Sequence, residues 1–201
     1  MKIAILGSGA VGQALATGYA KHGHEVRIGT RQSEVAGHRV DAPAGAAAWG
    51  DIVVIAVKGE VAVALATSVE TEVAGKVVID TTNPLDFSTG QPGLFVGWTD
   101  SLGEQVQRAI PGAKVVKAYN IVGNTLMVDP QLSDGPPTML IAGDDAEAKA
   151  TVTELLTDTG WEVSDLGGIA ACRHLEPMCI AWVLHGMSSG GWDHAFKIVT
   201  K

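Results

Sequence analysis

The sequence predicts a doubly wound α/β fold on a mostly parallel sheet, finished by a small helical C-terminal extension. Three observations carry this. Short β-branched runs alternate with longer segments of helical period. The apolar runs are continuous, as strands covered on both faces require. The first of them leads through a glycine-rich turn directly into a helix. Strands alternating with helices in this way form parallel sheets with right-handed crossovers.

The elements follow in order. Lys2–Leu6 reads as a short buried strand. Val11, Ala14, Leu15, Gly18 and Tyr19 then share one helical face, and Gly23 ends that helix. Glu25–Gly29 is the second strand and Pro43–Trp49 a short Ala-rich helix. Asp51–Val57 has the unbroken apolar character of a central strand, followed by a helix over Glu60–Val69 and a strand over Lys76–Asp80. Ser101-x-x-Glu104 is a capping box that opens a helix through Ile110. Ala113–Ala118 is a strand, and Asp129-Pro130 and Gly135-Pro136-Pro137 mark loop. Thr138–Ala142 (strand), Asp145–Thr159 (helix) and Trp161–Asp165 (strand) lead to a last helix over Ile169–Met187, bent or interrupted at Pro177.

A chain of 201 residues fits one domain, residues 1–201, with the helix and tail from about 168 as its extension. Hydrophobic residues make up 46% and charged residues 18%, a globular composition. With 14 Lys and Arg against 22 Asp and Glu, the net charge of −8 argues against nucleic acid or an anionic membrane as partner. No apolar run approaches the roughly 20 residues of a membrane span, and Ile3–Leu6 is shorter than the roughly 7–15 apolar residues of a signal peptide. A cytoplasmic location is expected. Cys172 and Cys179 lie seven apart in the last helix, about 10 Å along its axis, too far for a disulfide. They read as small buried hydrophobes, and no metal-site spacing surrounds them.

The chemistry concentrates at strand ends. Gly7-Ser8-Gly9-Ala10-Val11-Gly12 is a complete G-x-G-x-x-G between a buried strand and an amphipathic helix. Gly7 permits the turn, Gly9 lets a diphosphate approach the backbone, and Gly12 lets the helix pack on the strand. The free N–H groups of the helix's first turn then face the phosphates. This is a Rossmann dinucleotide site. NAD binders place an acid about 20 residues further on, but the window here is Thr30-Arg31-Gln32, with no acid. A hydroxyl and a guanidinium suit a 2′-phosphate, so NADP(H) is the expected dinucleotide. Ala56-Val57-Lys58, Thr82 and Asn83 are expected around the nicotinamide. Pro84, Asn120, Ile121, Val122 and Gly123 face the same crevice as candidates for the second substrate. No catalytic side chain stands out. Lys117 and Tyr119 are the nearest to a proton donor, and neither is convincing. Hydride transfer between two rings about 3–3.5 Å apart needs no such acid. A carbonyl or imine reductase and an NADPH-binding redox sensor without turnover remain open at this point.

Taken together, Gly7–Gly12, Gly29-Thr30-Arg31, Asp51–Val57, Val116–Asn120, Gly143-Asp144-Asp145, Arg173-x-x-Glu176 and the tail Gly191–Lys197 resemble the NADP oxidoreductase family that includes reductases of the deazaflavin coenzyme F420. The resemblance runs over nearly the whole chain. It implies NADPH along Gly7–Gly12, with Thr30 and Arg31 on the 2′-phosphate. It implies a deazaflavin or flavin stacked on the nicotinamide, with direct hydride transfer to this small-molecule redox partner. Asn120–Gly123 and the end of the last helix, at Met187, would line the second pocket, and the C-terminal helices would form a homodimer. In one respect the chain departs from the pattern: it has Asn120 where F420-using members can carry His. Val116–Asn120 is similar to the cytosolic domains of membrane metalloreductases, which work with flavin. F420 and FMN or FAD are therefore both candidates for the second ring.

Overall fold

The computed structural model describes residues 1–201. The chain begins β1 (Lys2–Leu6), α1 (Ala10–Lys21), β2 (Glu25–Gly29), β3 (Arg39–Asp41), α2 (Pro43–Trp49) and β4 (Ile52–Ile55). It continues through α3 (Gly59–Ser68), α4 (Glu70–Val73), β5 (Val77–Asp80) and a two-stranded ribbon, β6 (Leu85–Asp86) with β7 (Gly93–Leu94). Then come α5 (Leu102–Ala109), β8 (Lys114–Lys117), β9 (Thr138–Gly143), α6 (Ala146–Asp158), β10 (Glu162–Asp165) and α7 (Cys172–Ser189).

The main sheet has eight strands in the order β10-β9-β8-β5-β4-β1-β2-β3. From β1 the chain steps first to β2 on one side and later to β4 on the other. That reversal opens a crevice past the carboxyl ends of β1 and β4, where doubly wound sheets take their ligands. The central strands are apolar and covered on both faces: Ile3, Ala4, Ile5, Leu6, Val53 and Val54 are fully buried. Within this sheet all strand pairs are parallel except β8–β9, where Val116 lies opposite Gly143. Parallel neighbours need a long crossover, usually a helix. Residues 118–137 contain only the short 3₁₀ turn Asn124–Leu126, so the chain returns antiparallel.

The expected fold class is present, and the sequence reading missed only its shortest pieces. β3 is three residues long and extends the sheet edge through Arg27 opposite Arg39. The β6–β7 ribbon is two residues a side. One expectation is corrected. Pro177 does not interrupt the last helix, which runs unbroken from Cys172 to Ser189. Arg173 grips Glu104, and Glu176 accepts the N–H groups of Leu102 and Gly103. Those tertiary bonds outweigh the backbone hydrogen bond that proline forfeits. No helix is long and apolar enough to cross a membrane.

Candidate functional site

A cleft of about 630 Å³ lies at the crevice, between the turn after β1 and the strand ends of β4 and β5. Its floor is the glycine turn, and the three glycines do different work. A Cβ on Gly7 would fall 2.1 Å from the Ala56 carbonyl oxygen, and Gly7 has φ +131°. A Cβ on Gly12 would fall 2.1 Å from the Gly7 carbonyl oxygen. Those two glycines are required by the protein's own packing. At Gly9 a Cβ would meet nothing within 4 Å. The chain's own packing does not need a glycine there. Gly9 also starts α1 without any side-chain cap, so the first-turn N–H groups of a twelve-residue helix open onto the cleft. Lys58 starts α3 on the far side of the same cleft, likewise uncapped, and Lys58 and Gly59 line it.

Thr30 stands at the end of β2, with its hydroxyl 3.0 Å from that of Ser8. The same oxygen accepts the Gln32 N–H at 3.2 Å. The loop carrying Arg31 is thereby tied to the glycine turn, and the Arg31 and Gln32 side chains are exposed beside it. These three residues sit at the margin of the cleft, outside its lining.

The wall after β5 is Thr81-Thr82-Asn83, and its polar atoms are largely engaged. Thr81 Oγ1 donates to the Ile55 carbonyl at 3.0 Å. Asp80 Oδ1 accepts both the N–H and the hydroxyl of Thr82, at 2.9 and 2.7 Å. Asn83 Nδ2 donates to the Asn120 carbonyl at 2.7 Å, and Asn120 Nδ2 donates back to Asn83 Oδ1 at 3.1 Å and to the Leu175 carbonyl at 3.1 Å. Asn83 and Asn120 therefore clamp the two halves of the crevice together. Both acceptors of Asn120 Nδ2 fix its amide orientation, which leaves Asn120 Oδ1 buried with no donor. A buried acceptor without a partner is uncommon in native proteins.

The two side chains considered as proton donors are removed from that role. Lys117 is fully buried and bonded to Asp80 Oδ2 at 2.7 Å, Glu176 Oε1 at 2.9 Å and the Thr82 carbonyl at 2.8 Å. Burial alone would lower its pKa, but the two carboxylates outweigh it and hold the ammonium charged well above its ordinary range. Tyr119 shares a buried 2.9 Å hydrogen bond with Tyr19, and burial pushes its phenol up to about 12. Cys172 and Cys179 are free and buried, each thiol pushed up to about 12 by burial.

The expected residues divide into three groups. Gly7 to Val11, Ala56, Val57, Lys58, Thr82 and Asn83 line one cleft, and Gly12 packs beneath it. Pro84 is buried just beyond Asn83, and its carbonyl accepts the Phe95 N–H. Asn120 is joined to the cleft only through Asn83. The others stand apart from the cleft. Ile121 and Val122 are in the core, Gly123 packs on Trp182, and Met187 is 57% exposed near the end of α7. The sequence reading missed Leu85 and Phe87, apolar cleft residues carried by the β6–β7 ribbon. Their signal was the Asn83-Pro84 turn followed by Leu-x-Phe, too short a run to read as a strand.

Known proteins resemble the chain over most of its length. The family profile "NADP oxidoreductase coenzyme F420-dependent" matches residues 2–84. The F420-dependent NADP reductase of Methanothermobacter marburgensis is 30% identical over 200 residues, covering 88% of each chain. The metalloreductase STEAP3 of Rattus norvegicus is 31% identical over 182 residues, 87% of this chain, which spans only 36% of that protein's length. The solved structure of a proposed F420-dependent NADP reductase from Arthrobacter sp. FB24 covers 100% of both chains at 39% identity, with a TM-score of 0.94. Full-length likeness, the matching profile over the glycine turn and the shared fold together mean that the chain belongs to the coenzyme F420-dependent NADP oxidoreductase family.

Proposed function

We propose that this chain is a reductase that transfers hydride between NADP(H) and a deazaflavin of the F420 type. The observation that carries the reading is Gly9, where a Cβ would meet no protein atom and which lines the cleft at the uncapped start of α1. Gly7-Ser8-Gly9-Ala10-Val11-Gly12 cradle the diphosphate through backbone N–H groups. Thr30, Arg31 and Gln32 bind the 2′-phosphate, with the guanidinium as its charged partner. Ala56, Val57, Lys58, Thr82 and Asn83 flank the nicotinamide. Pro84, Asn120, Ile121, Val122, Gly123 and Met187 belong to the side that receives the second ring. Residues 1–201 act as one unit in which the helix and tail from about 168 complete that side. The exposed Leu184, Met187 and Trp192 on and beside α7 support a homodimer through the same region.

Bound NADP(H) supplies the carbon between which and the acceptor hydride moves. The protein's own work is to orient that carbon and to keep water away. Thr81, Thr82 and Asn83 do the first, because their hydrogen bonds to Ile55, Asp80 and Asn120 leave the wall little freedom. Leu85 and Phe87 do the second, as apolar cover at the cleft. Asn120 Oδ1 offers an acceptor to a ring or carboxamide N–H. With Lys117 and Tyr119 both engaged and buried, a carbonyl or imine would find no proton donor from either.

The test is to mix the purified protein with NADPH and, separately, F420, FMN and FAD, following loss of the reduced-nicotinamide absorbance. Rapid oxidation with F420 is expected. Oxidation with FMN or FAD alone would move the second substrate to flavin. Tight NADPH binding without oxidation by any of them would replace the reductase by a binding protein.

A further inference from the structure

Three charged side chains lie wholly inside the molecule, next to the cleft and outside it. Asp80 ends β5, Lys117 ends β8 and Glu176 sits in α7. The Asp80 and Lys117 side chains are 0% exposed and that of Glu176 is 1% exposed. Lys117 donates to the Thr82 carbonyl and is ion-paired to both Asp80 and Glu176. One cation against two carboxylates leaves a negative charge in excess. That excess is placed at the start of α5, where Glu176 accepts the Leu102 and Gly103 N–H groups at 2.9 and 2.8 Å. Asp80 Oδ2 has the Lys117 ammonium as its ion-pair partner and no hydrogen bond of its own.

Ion pairing alone does not explain why the group is there. Well-packed apolar side chains of similar volume stabilise a core as well as a buried ion group or better, because each charge carries a desolvation cost. What the group does that apolar residues cannot is hold one short segment by several directed bonds. Thr82 is fixed through its N–H and hydroxyl to Asp80 and through its carbonyl to Lys117. Asn83, the next residue, is fixed to Asn120, which reaches α7 at the Leu175 carbonyl. Glu176, the residue after Leu175, closes the circuit back to Lys117. The cleft wall and α7 are therefore linked by two routes that share no atom.

We propose that Asp80, Lys117 and Glu176 are positioning residues that hold Thr82 and Asn83 at the nicotinamide end of the cleft and tie that wall to α7. This rests on the reading of the cleft as an NADP(H) site. None of the three touches the cleft, and each acts through Thr82 or through the start of α5. The permanently charged state of Lys117 suits the role, since the bond to Thr82 persists across the working pH range.

Removing one charge alone leaves the others unpaired in the interior, so the informative variant neutralises all three: Asp80→Asn, Lys117→Met and Glu176→Gln together. A second variant, Thr82→Val, keeps the charges and releases one bond on the wall. Two readouts separate positioning from stability. One is the affinity for 2′,5′-ADP, which reports the adenosine end alone, beside the thermal midpoint. The other is the fluorescence anisotropy of bound NADPH, which reports how firmly the nicotinamide is held, beside kcat with F420. The triple variant is expected to keep its midpoint and its 2′,5′-ADP affinity. It should lose bound-nicotinamide anisotropy and about 100-fold in kcat, the cost of a misplacement of order 1 Å. Thr82→Val should fall in the same direction by several-fold. If the triple variant does not fold, Thr82→Val decides alone. A folded variant that holds the nicotinamide and turns over like the unmodified protein overturns the proposal. Should the unmodified protein bind NADPH but reduce no deazaflavin, the assignment of the second substrate fails, and the anisotropy comparison still decides the role of the triad.

Discussion

Four helices of this protein make a contrast in how they begin. α5 and α6, away from the cleft, start on their own caps. The Ser101 hydroxyl accepts the Glu104 N–H at 3.2 Å, and Asp145 Oδ1 accepts the Ala148 N–H at 2.8 Å. α1 and α3, which open onto the cleft, start at Gly9 and Lys58 with no side-chain cap. A good cap is worth about 1 kcal/mol, so the cleft helices forgo stability that their neighbours keep. α2, α4 and α7, away from the cleft, also start without a side-chain cap. A missing cap by itself therefore marks no site; what sets α1 and α3 apart is that their starts line a cleft, where open N–H groups are available to an anion.

The strongest way to break this contrast is at the glycines. Gly12→Ala places a Cβ 2.1 Å from the Gly7 carbonyl oxygen and 3.5 Å from Ile5. Urea unfolding should show a loss of about 1–3 kcal/mol, with NADPH binding abolished. Gly9→Ala meets no protein atom, so its unfolding midpoint should stay while NADPH binding weakens about 10-fold or more. Equal binding by Gly9→Ala and the unmodified protein would mean that nothing approaches the backbone there.

Arg31→Ala comes next. A charge-assisted bond is worth about 1.5–3 kcal/mol, so NADPH affinity should fall roughly 10- to 100-fold with NADH affinity little changed. Titration of both nucleotides checks it, and equal losses would remove Thr30 and Arg31 from the 2′-phosphate. On the capped side, Ser101→Ala should cost about 1 kcal/mol in chemical denaturation and leave NADPH binding unchanged. The smallest effect is in acid. Hydrogen bonds from Arg108, above all, hold the Asp100 carboxyl at about 2. A carboxyl lowered on folding adds stability above its unfolded pKa and loses it as pH falls through the folded value. That contribution should therefore be complete above about pH 4 and fade towards about pH 2, and Arg108→Ala should flatten this part of the pH–stability curve. Because the pair is at the surface, its size should stay below about 1 kcal/mol.

Much of the fold was legible because its signals are local. The continuous apolar runs from Lys2 and from Ile52, the Ser101–Glu104 capping box and the glycine turn each lie within a few residues of one another. The cleft's glycine floor was legible for the same reason. The second side was less so. Lys117 looked like a candidate acid until its partners, Asp80 and Glu176, arrived from 37 residues before and 59 residues after it in the chain. Asn83 looked free to bind a ligand and is held instead by Asn120. Leu85 and Phe87 were invisible because a strand of two residues has no period to detect.

By itself the sequence determined the alternation of strands and helices, the glycine turn and the acid-free Thr30-Arg31-Gln32 window, since each is written in neighbouring residues whose backbone preferences act locally. Only the tertiary structure decided which polar groups remain available. Whether a lysine, a tyrosine or an asparagine can meet a ligand depends on which distant side chains reach it first. That is settled by strand order and helix packing, because an interior of low dielectric leaves no polar group unpaired without cost.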